Sequence, residues 1–201
     1  MRIAAVILAG GKGERLGGVN KALLEIGGHS FIDRATGAAR GCEPILVAVG
    51  RRSFDVPSGA TAIPDLESDY AGPLAGVAAA VGHLRPAAAD TLFSLAVDTP
   101  LFPTDFLSRA LPLLDDADVV IGAYGAQDYP TNALWRLDSI AGLAEEVRSG
   151  TAPRSLKRLA GRLRARRLDY AELAADDPFR NANTPEDLEL LRRAETARNA
   201  G

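Results

Sequence analysis

Four apolar runs, 3–8, 45–49, 92–97 and 119–123, constrain this chain more than any other feature. They are rich in valine, isoleucine and leucine, and each is bounded by glycine, proline or aspartate. A run that is apolar at nearly every position suits a strand buried on both faces, which is the environment of a parallel sheet covered by helices. Segments with helical spacing, 31–39, 73–84 and 106–114, lie between the runs. This alternation predicts an α/β fold with a mostly parallel central sheet between two helical layers, a Rossmann-like three-layer sandwich. Pro73 suits a first helical position. Thr184, Pro185 and Asp187 read as N-cap, N1 proline and acidic first turn of a last helix reaching about residue 197. Leu188 and Leu191 would face inward on that helix and Glu186, Glu189 and Arg193 outward. Between 129 and 179 the alternation weakens: "PTNALWRL" reads as a strand, 140–147 and 154–159 as helices, and this part is expected to cap the open edge of the sheet. At 201 residues and 47% hydrophobic content, with no repeat or linker to divide it, the chain is expected to form one domain spanning 1–201.

The loudest local signal is "VILAGGKGERLGGVNKALL", 6–24, directly after the first apolar run. Glycine is costly to order and packs no core, so Gly10, Gly11, Gly13, Gly17 and Gly18 together imply a close backbone approach. The visitor that fits is a phosphate. Ligands of open parallel sheets bind beyond the carboxyl ends of the strands, where backbone N–H groups can meet phosphate oxygens. Net charge is −3 and the isoelectric point near 5.5, so no global basic field would hold nucleic acid or an anionic membrane. An anion must be met locally, and Arg15 and Lys21 supply the cations; one cation 4 Å from a phosphate gains about 4 kcal/mol at an effective dielectric of 20, before desolvation. The Walker A pattern fails, because Lys12 is followed by Gly13 where Ser or Thr would follow the lysine. The dinucleotide fingerprint starts at Gly11 and Gly13 and then meets Leu16 where glycine belongs. A glycine-rich turn without a ligand is the competing reading.

Asp98, in "TLFSLAVDTPLF", follows an apolar strand and would emerge at the same sheet edge. A carboxylate there can hold Mg²⁺, whose shell is completed by water and phosphate oxygens; the alternative is a carboxylate that merely opens the turn with Thr99 and Pro100. Asp65 closes the short strand "TAIPD", and "GPLAG", 72–76, starts a helix; both could touch a sugar, a base or a second substrate. His29 and His83 are the only histidines, and no HExxH or GxSxG occurs. A nucleophile that is already anionic, such as a phosphate monoester, needs no general base but does need cations against repulsion. The basic run "RLRARR", 162–167, has no interleaved aromatics and reads as a solvated strand or helix face. Cys42, the only cysteine, reads as a buried, inert thiol, and excludes an intrachain disulfide. The apolar start is too short to span a bilayer and lacks a small-residue cleavage site, so a cytoplasmic protein is expected.

Taken in order, "LAGGKGERLGGVNKALL", "GPLAG", "VDTPLFP", "YPTNALW" and "NANTPEDL" resemble the molybdenum cofactor guanylyltransferases over nearly the whole chain. The glycine loop alone would indicate only a nucleoside triphosphate transferase; the "PTNALW" and "NANTPEDL" segments point to the guanylyl branch. The resemblance implies a fold like that of the nucleotide-diphospho-sugar transferases, with 1–125 as the nucleotide-binding half and 126–201 as the acceptor-binding and capping half. It implies Mg²⁺-dependent transfer of GMP from GTP to the phosphate of Mo-molybdopterin, with release of pyrophosphate. Leu8, Ala9 and Gly10 would line the guanine nucleotide site, followed by the glycine loop with Gly11 and Gly13. Lys21 would lie on the phosphates, and Arg15 would neutralise the triphosphate. Asp65 would sit in the nucleotide site, Asp98 would hold Mg²⁺, and Asn181 and Asn183 would lie toward the pterin or the metal. Gly72, Pro73, Leu74 and Gly76 would form a loop between the two substrates. Arg15, Lys21 and Asp98 would carry catalysis, in a monomer that contacts molybdenum cofactor proteins and molybdoenzymes transiently.

Two positions depart from the family pattern. Asn20 stands where aspartate is usual, removing a charge that would orient Lys21, and Ala48 stands where an asparagine would contribute to nucleotide recognition. Three other readings stay open at the level of sequence. One is the same chemistry with CTP or another phosphorylated acceptor. The second is an NADP-dependent oxidoreductase, motivated by the near-miss fingerprint and by Arg51 and Arg52 after the second strand, although no Tyr-x-x-x-Lys pair accompanies them. The third is a nucleotide sensor without turnover.

Overall fold

The computed structural model describes residues 1–10, 19–50, 54–66, 70, 72–84 and 88–199. Four parallel strands form one side of a single sheet: β1 (Ile3–Leu8), β4 (Ile45–Ala48), β5 (Ala60–Ile63) and β6 (Thr91–Ala96). The other side holds β7 (Val119–Tyr124), β8 (Gln127–Arg136) and β9 (Ala165–Asp169), giving a spatial order β5-β4-β1-β6-β8-β7-β9. Only β8 runs against its neighbours, β6 and β7. A small hairpin of β2 (Glu25–Ile26) and β3 (His29–Ser30) stands apart from this sheet. Its two-residue turn uses Gly27 at φ 59° and Gly28 at φ 77°, the left-handed conformation that a tight hairpin requires at both positions.

The apolar runs form strands because both of their faces are covered. Ala4, Val6 and Leu8 pack beneath α2 (Pro73–His83), α4 (Leu143–Arg148) and α5 (Leu156–Ala160). Ala5 and Ile7 point to the other layer, made by α1 (Phe31–Ala38), α3 (Phe106–Leu113) and α6 (Pro185–Asn199). The predicted helices 31–39, 73–84 and 106–114 each end within one residue of those observed. Thr184 is the N-cap foreseen: its Oγ1 accepts from the Asp187 amide at 3.1 Å, and Asp187 Oδ2 accepts in return from the Thr184 amide at 2.9 Å.

The part 129–179 reaches the sheet edge as expected, through β9, but its "PTNALWRL" strand lies inside: β8 stands between β6 and β7, and Trp135 is fully buried with its indole N–H donated to Ser94 Oγ at 2.9 Å. The edge belongs to β9 and the basic run that leads into it. Every arginine of that run meets a carboxylate of its own chain: Arg162 with Glu146, Arg164 with Asp118, Arg166 with Asp116 and Arg167 with Asp128. Beyond β9, Phe179 packs among Phe102, Phe106, Tyr129 and Tyr170, with ring centroids 5.3 to 6.2 Å away. That aromatic cluster brings the segment carrying Asn181 and Asn183 back to the carboxyl ends of β1 and β6. Among the described residues no helix is long and apolar enough to cross a membrane.

Candidate active site

The chain leaves β1 toward β4 on one side and later returns to add β6 on the other, so a crevice opens where the carboxyl ends of β1 and β6 part. At that point lies a cleft of about 720 Å³, measured out to its open mouth. Leu8, Ala9 and Gly10 form its first wall. Gly10 passes so close to Gly50 that a Cβ on either would lie 3.1 or 2.9 Å from the other's Cα, and Gly50 has φ 66°. This close approach, with the positive φ of Gly50, favours glycine at both positions and lets the two backbone segments touch beside the cleft.

The second wall is the start of α2. Gly72 turns at φ 78° into Pro73, which occupies the first helical position. Gly76 faces the sheet, where a Cβ would stand 2.7 Å from Leu8 Cδ2 and 3.1 Å from Ala48 Cβ. Asp65 also lines the cleft, and burial raises its carboxyl pKa above the usual range.

Lys21 lies at the first residue of a 3-10 turn, Lys21–Leu23, and is also part of the lining. Its ammonium donates to Asp98 Oδ2 at 2.8 Å and to Asn183 Oδ1 at 2.6 Å. Asn20 does a different job: its Oδ1 accepts from the Ala22 amide at 3.1 Å and caps the turn. The charge missing at position 20 therefore leaves Lys21 well oriented, because Asp98 and Asn183 hold it instead. Asp98 is itself held, its backbone carbonyl accepting from the Ala182 amide at 2.9 Å. Asn181 lines the cleft with a buried amide oxygen that has no hydrogen-bond partner among the described residues.

The structure thus gathers Leu8, Ala9, Gly10, Lys21, Asp65, Gly72, Pro73, Gly76, Asp98 and Asn181 around one cleft, with Asn183 behind Lys21. Leu74 departs from the expectation: it is 2% exposed and packs into the core under α2, as the residue after an N1 proline on a buried helix must. Gly11, Gly13, Arg15, Arg51 and Arg52 lie outside the described residues. Ala48, the position singled out as a departure in nucleotide recognition, lines the cleft too, and so do Ala96, Val97 and Thr131, which were not foreseen as contacts. Ala96 ends β6 and Val97 follows it, so the rule that ligands sit beyond strand ends could have found them; Thr131 lies in a break of the β8 ladder that leaves no periodic trace. Among the described residues no group of three or more His, Cys, Asp or Glu forms a metal nest.

Comparison with known proteins agrees with this geometry. Residues 5–168 match the family described as MobA-like NTP transferase domain. A molybdenum cofactor guanylyltransferase of Bradyrhizobium sp. is 33% identical over 196 residues, covering 92% of this chain and 90% of the relative. The crystal structure of molybdopterin-guanine dinucleotide biosynthesis protein A from Archaeoglobus fulgidus superposes with a TM-score of 0.69 at 20% identity, over 98% of this chain and 100% of that one. A Mycobacterium tuberculosis protein solved as a complex with manganese gives a TM-score of 0.67 at 16% identity, over 96% and 98% of the two chains. These findings set aside the oxidoreductase reading of the near-miss fingerprint. On its sequence, its cleft and its relatives, the chain belongs to the MobA-like NTP transferase family.

Proposed function

We propose that this nucleotidyltransferase moves GMP from GTP onto the terminal phosphate of Mo-molybdopterin, forming molybdopterin guanine dinucleotide and pyrophosphate. The observation that carries the reading is the ammonium of Lys21, fixed between Asp98 and Asn183 at a cleft that Asp65, Thr131 and Asn181 also line beside glycines and apolar side chains. In this chemistry an oxygen of the acceptor phosphate attacks the α-phosphorus of GTP in line. The bond from that phosphorus to the bridging oxygen breaks, and its electron pair leaves with pyrophosphate. The nucleophile is already an anion, so no residue needs to take a proton, and the barrier is dominated by repulsion between phosphates. A preorganised Lys21 lowers that repulsion without having to reorient during the reaction.

Asp65 supports guanine over cytosine. An ionised carboxylate only accepts hydrogen bonds, and guanine presents two adjacent donors, N1–H and N2–H, that suit such an acceptor, whereas the cytosine edge mixes donor and acceptors. The donors present also suit Mg²⁺, which takes one or two protein oxygens and completes its shell with water and phosphate: the Asp98 carboxylate and the unpartnered amide oxygen of Asn181 are hard oxygens on the same cleft. Bound there, Mg²⁺ would neutralise charge on the triphosphate and on the departing pyrophosphate. The product is a cofactor, so other molybdenum proteins must supply the acceptor and receive the dinucleotide.

The reading is tested by thermal unfolding with GTP, CTP, ATP or NADPH, each with and without Mg²⁺. A ligand at 100 times its Kd adds about 2.7 kcal/mol to stability. A Mg²⁺-dependent rise in Tm with GTP that CTP does not match is expected. A larger rise with CTP would assign a cytidylyl transfer instead.

A further inference from the structure

We propose that Asn132 is a positioning residue for the Asp98 turn, a role that rests on the guanylyl-transfer reading above. Strands β6 and β8 pair in register from Thr91 with Arg136 as far as Ser94 with Ala133, and the backbone ladder stops there. On the other side of β8 the register jumps from Ile121 with Ala133 to Gly122 with Tyr129, so Pro130, Thr131 and Asn132 form a bulge. Proline has no N–H to give to a ladder, which suits it to such a break. Past the break, the Ala96 amide has no β8 carbonyl in register to receive it. The side chain of Asn132 takes that place, its Oδ1 accepting from the Ala96 amide at 2.9 Å.

That hydrogen bond lies two residues before Asp98. The Ala96 carbonyl accepts from Thr99 Oγ1 at 2.8 Å, and the Val97 amide donates to the Leu8 carbonyl at 3.2 Å. Asn132 therefore holds the Leu95–Ala96 peptide, and Thr99 and Leu8 hold the Ala96–Val97 peptide, in the segment that delivers Asp98 to Lys21. Asn132 is fully buried, and its Nδ2 donates to no partner among the described residues. Burying an amide with half of its hydrogen bonds unmade costs free energy, so fold stability alone does not account for asparagine here. What the residue supplies is an acceptor at one fixed point beneath the catalytic turn.

The test compares Asn132→Ala, which removes the acceptor, with Asn132→Asp, which keeps it, and with Thr99→Val, which removes the hydroxyl donor to the Ala96 carbonyl in the next peptide group. GTP-dependent transfer is measured by steady-state kinetics, and exchange of the Ala96 amide by NMR. Asn132→Ala is expected to lower kcat by about tenfold or more with KM for GTP within about twofold, and Asn132→Asp to recover most of the loss. Thr99→Val is expected to lower kcat by about threefold, and it decides the matter if Asn132→Ala does not fold. Exchange protection at Ala96 should be lost in Asn132→Ala and kept in Asn132→Asp. Unchanged protection in Asn132→Ala overturns the proposal, as does an Asn132→Asp variant as impaired as Asn132→Ala, or unchanged kcat in both Asn132→Ala and Thr99→Val. A wild-type protein that transfers no nucleotide from GTP would sink the guanylyl reading instead, leaving Ala96 exchange to judge the hydrogen bond on its own.

Discussion

Lys21 and Asp98 are mostly buried, with side-chain exposures of 13% and 18%, yet they remain reachable from the cleft. Desolvation offsets much of the attraction in a pair so placed, and on the proposed reading its value lies in having the cation oriented before substrate arrives. Lys21→Ala and Asp98→Ala should each lower kcat by about a hundredfold or more, well beyond the loss explained by any fall in Tm from the charge left unpaired, which calorimetry beside a turnover assay would check. Full activity of Asp98→Ala at ordinary Mg²⁺ would contradict the assignment. Gly76 is constrained by steric contact: an added Cβ meets Leu8 and Ala48, so Gly76→Ala should cost about 1–3 kcal/mol in denaturant unfolding and raise KM for GTP. Asp98 was legible because a lone carboxylate after a fully apolar strand can only emerge at the carboxyl edge. Cys42 was legible for the opposite reason, since burial alone explains it and pushes its thiol pKa up to about 11. Thr131 was not legible, because its position depends on a bulge that local pattern does not encode.

At the scale of elements, α6 does more than cover one face of the sheet. Its capping box fixes Thr184 and Asp187, and Asp187 Oδ2 also accepts from the Asn183 amide at 3.0 Å, which aims the Asn183 side chain at Lys21. Arg34 of α1 ties the same helix down, donating to Glu195 at 2.6 Å and to the Ile26 carbonyl at 2.6 Å. Thr184→Ala should cost about 1 kcal/mol of stability and also lower turnover. A stability loss with turnover unchanged would separate the cap from the site. The helices were readable because caps, prolines and spacing are local signals. The place of β8 was not. Its outer end, "QDYPT", is polar, and its insertion between β6 and β7 depends on pairing across the sheet that no short window contains.

For the whole molecule, the acidic balance of the sequence hides a dense set of internal pairs along the β9 edge. Asp118 accepts from the Arg164 guanidinium and backbone amide and from Ser139, which holds its carboxyl well below the usual range. A depressed folded-state pKa means that the unfolded chain binds the proton first. The stabilisation is therefore complete above the unfolded value near 4 and is lost as pH falls below it. Urea unfolding from about pH 5 to about pH 2.5 should show a shallower decline for Asp118→Asn than for the parent, and equal slopes would contradict the pairing. The nucleotide transfer itself is reached directly by one assay. Purified protein is given Mo-molybdopterin, Mg²⁺ and an equimolar mixture of GTP and CTP, and the dinucleotide formed is identified by mass while pyrophosphate is followed. The account predicts pyrophosphate release that requires the acceptor and a product carrying guanine. A cytosine product, or pyrophosphate release indifferent to the acceptor, would contradict it.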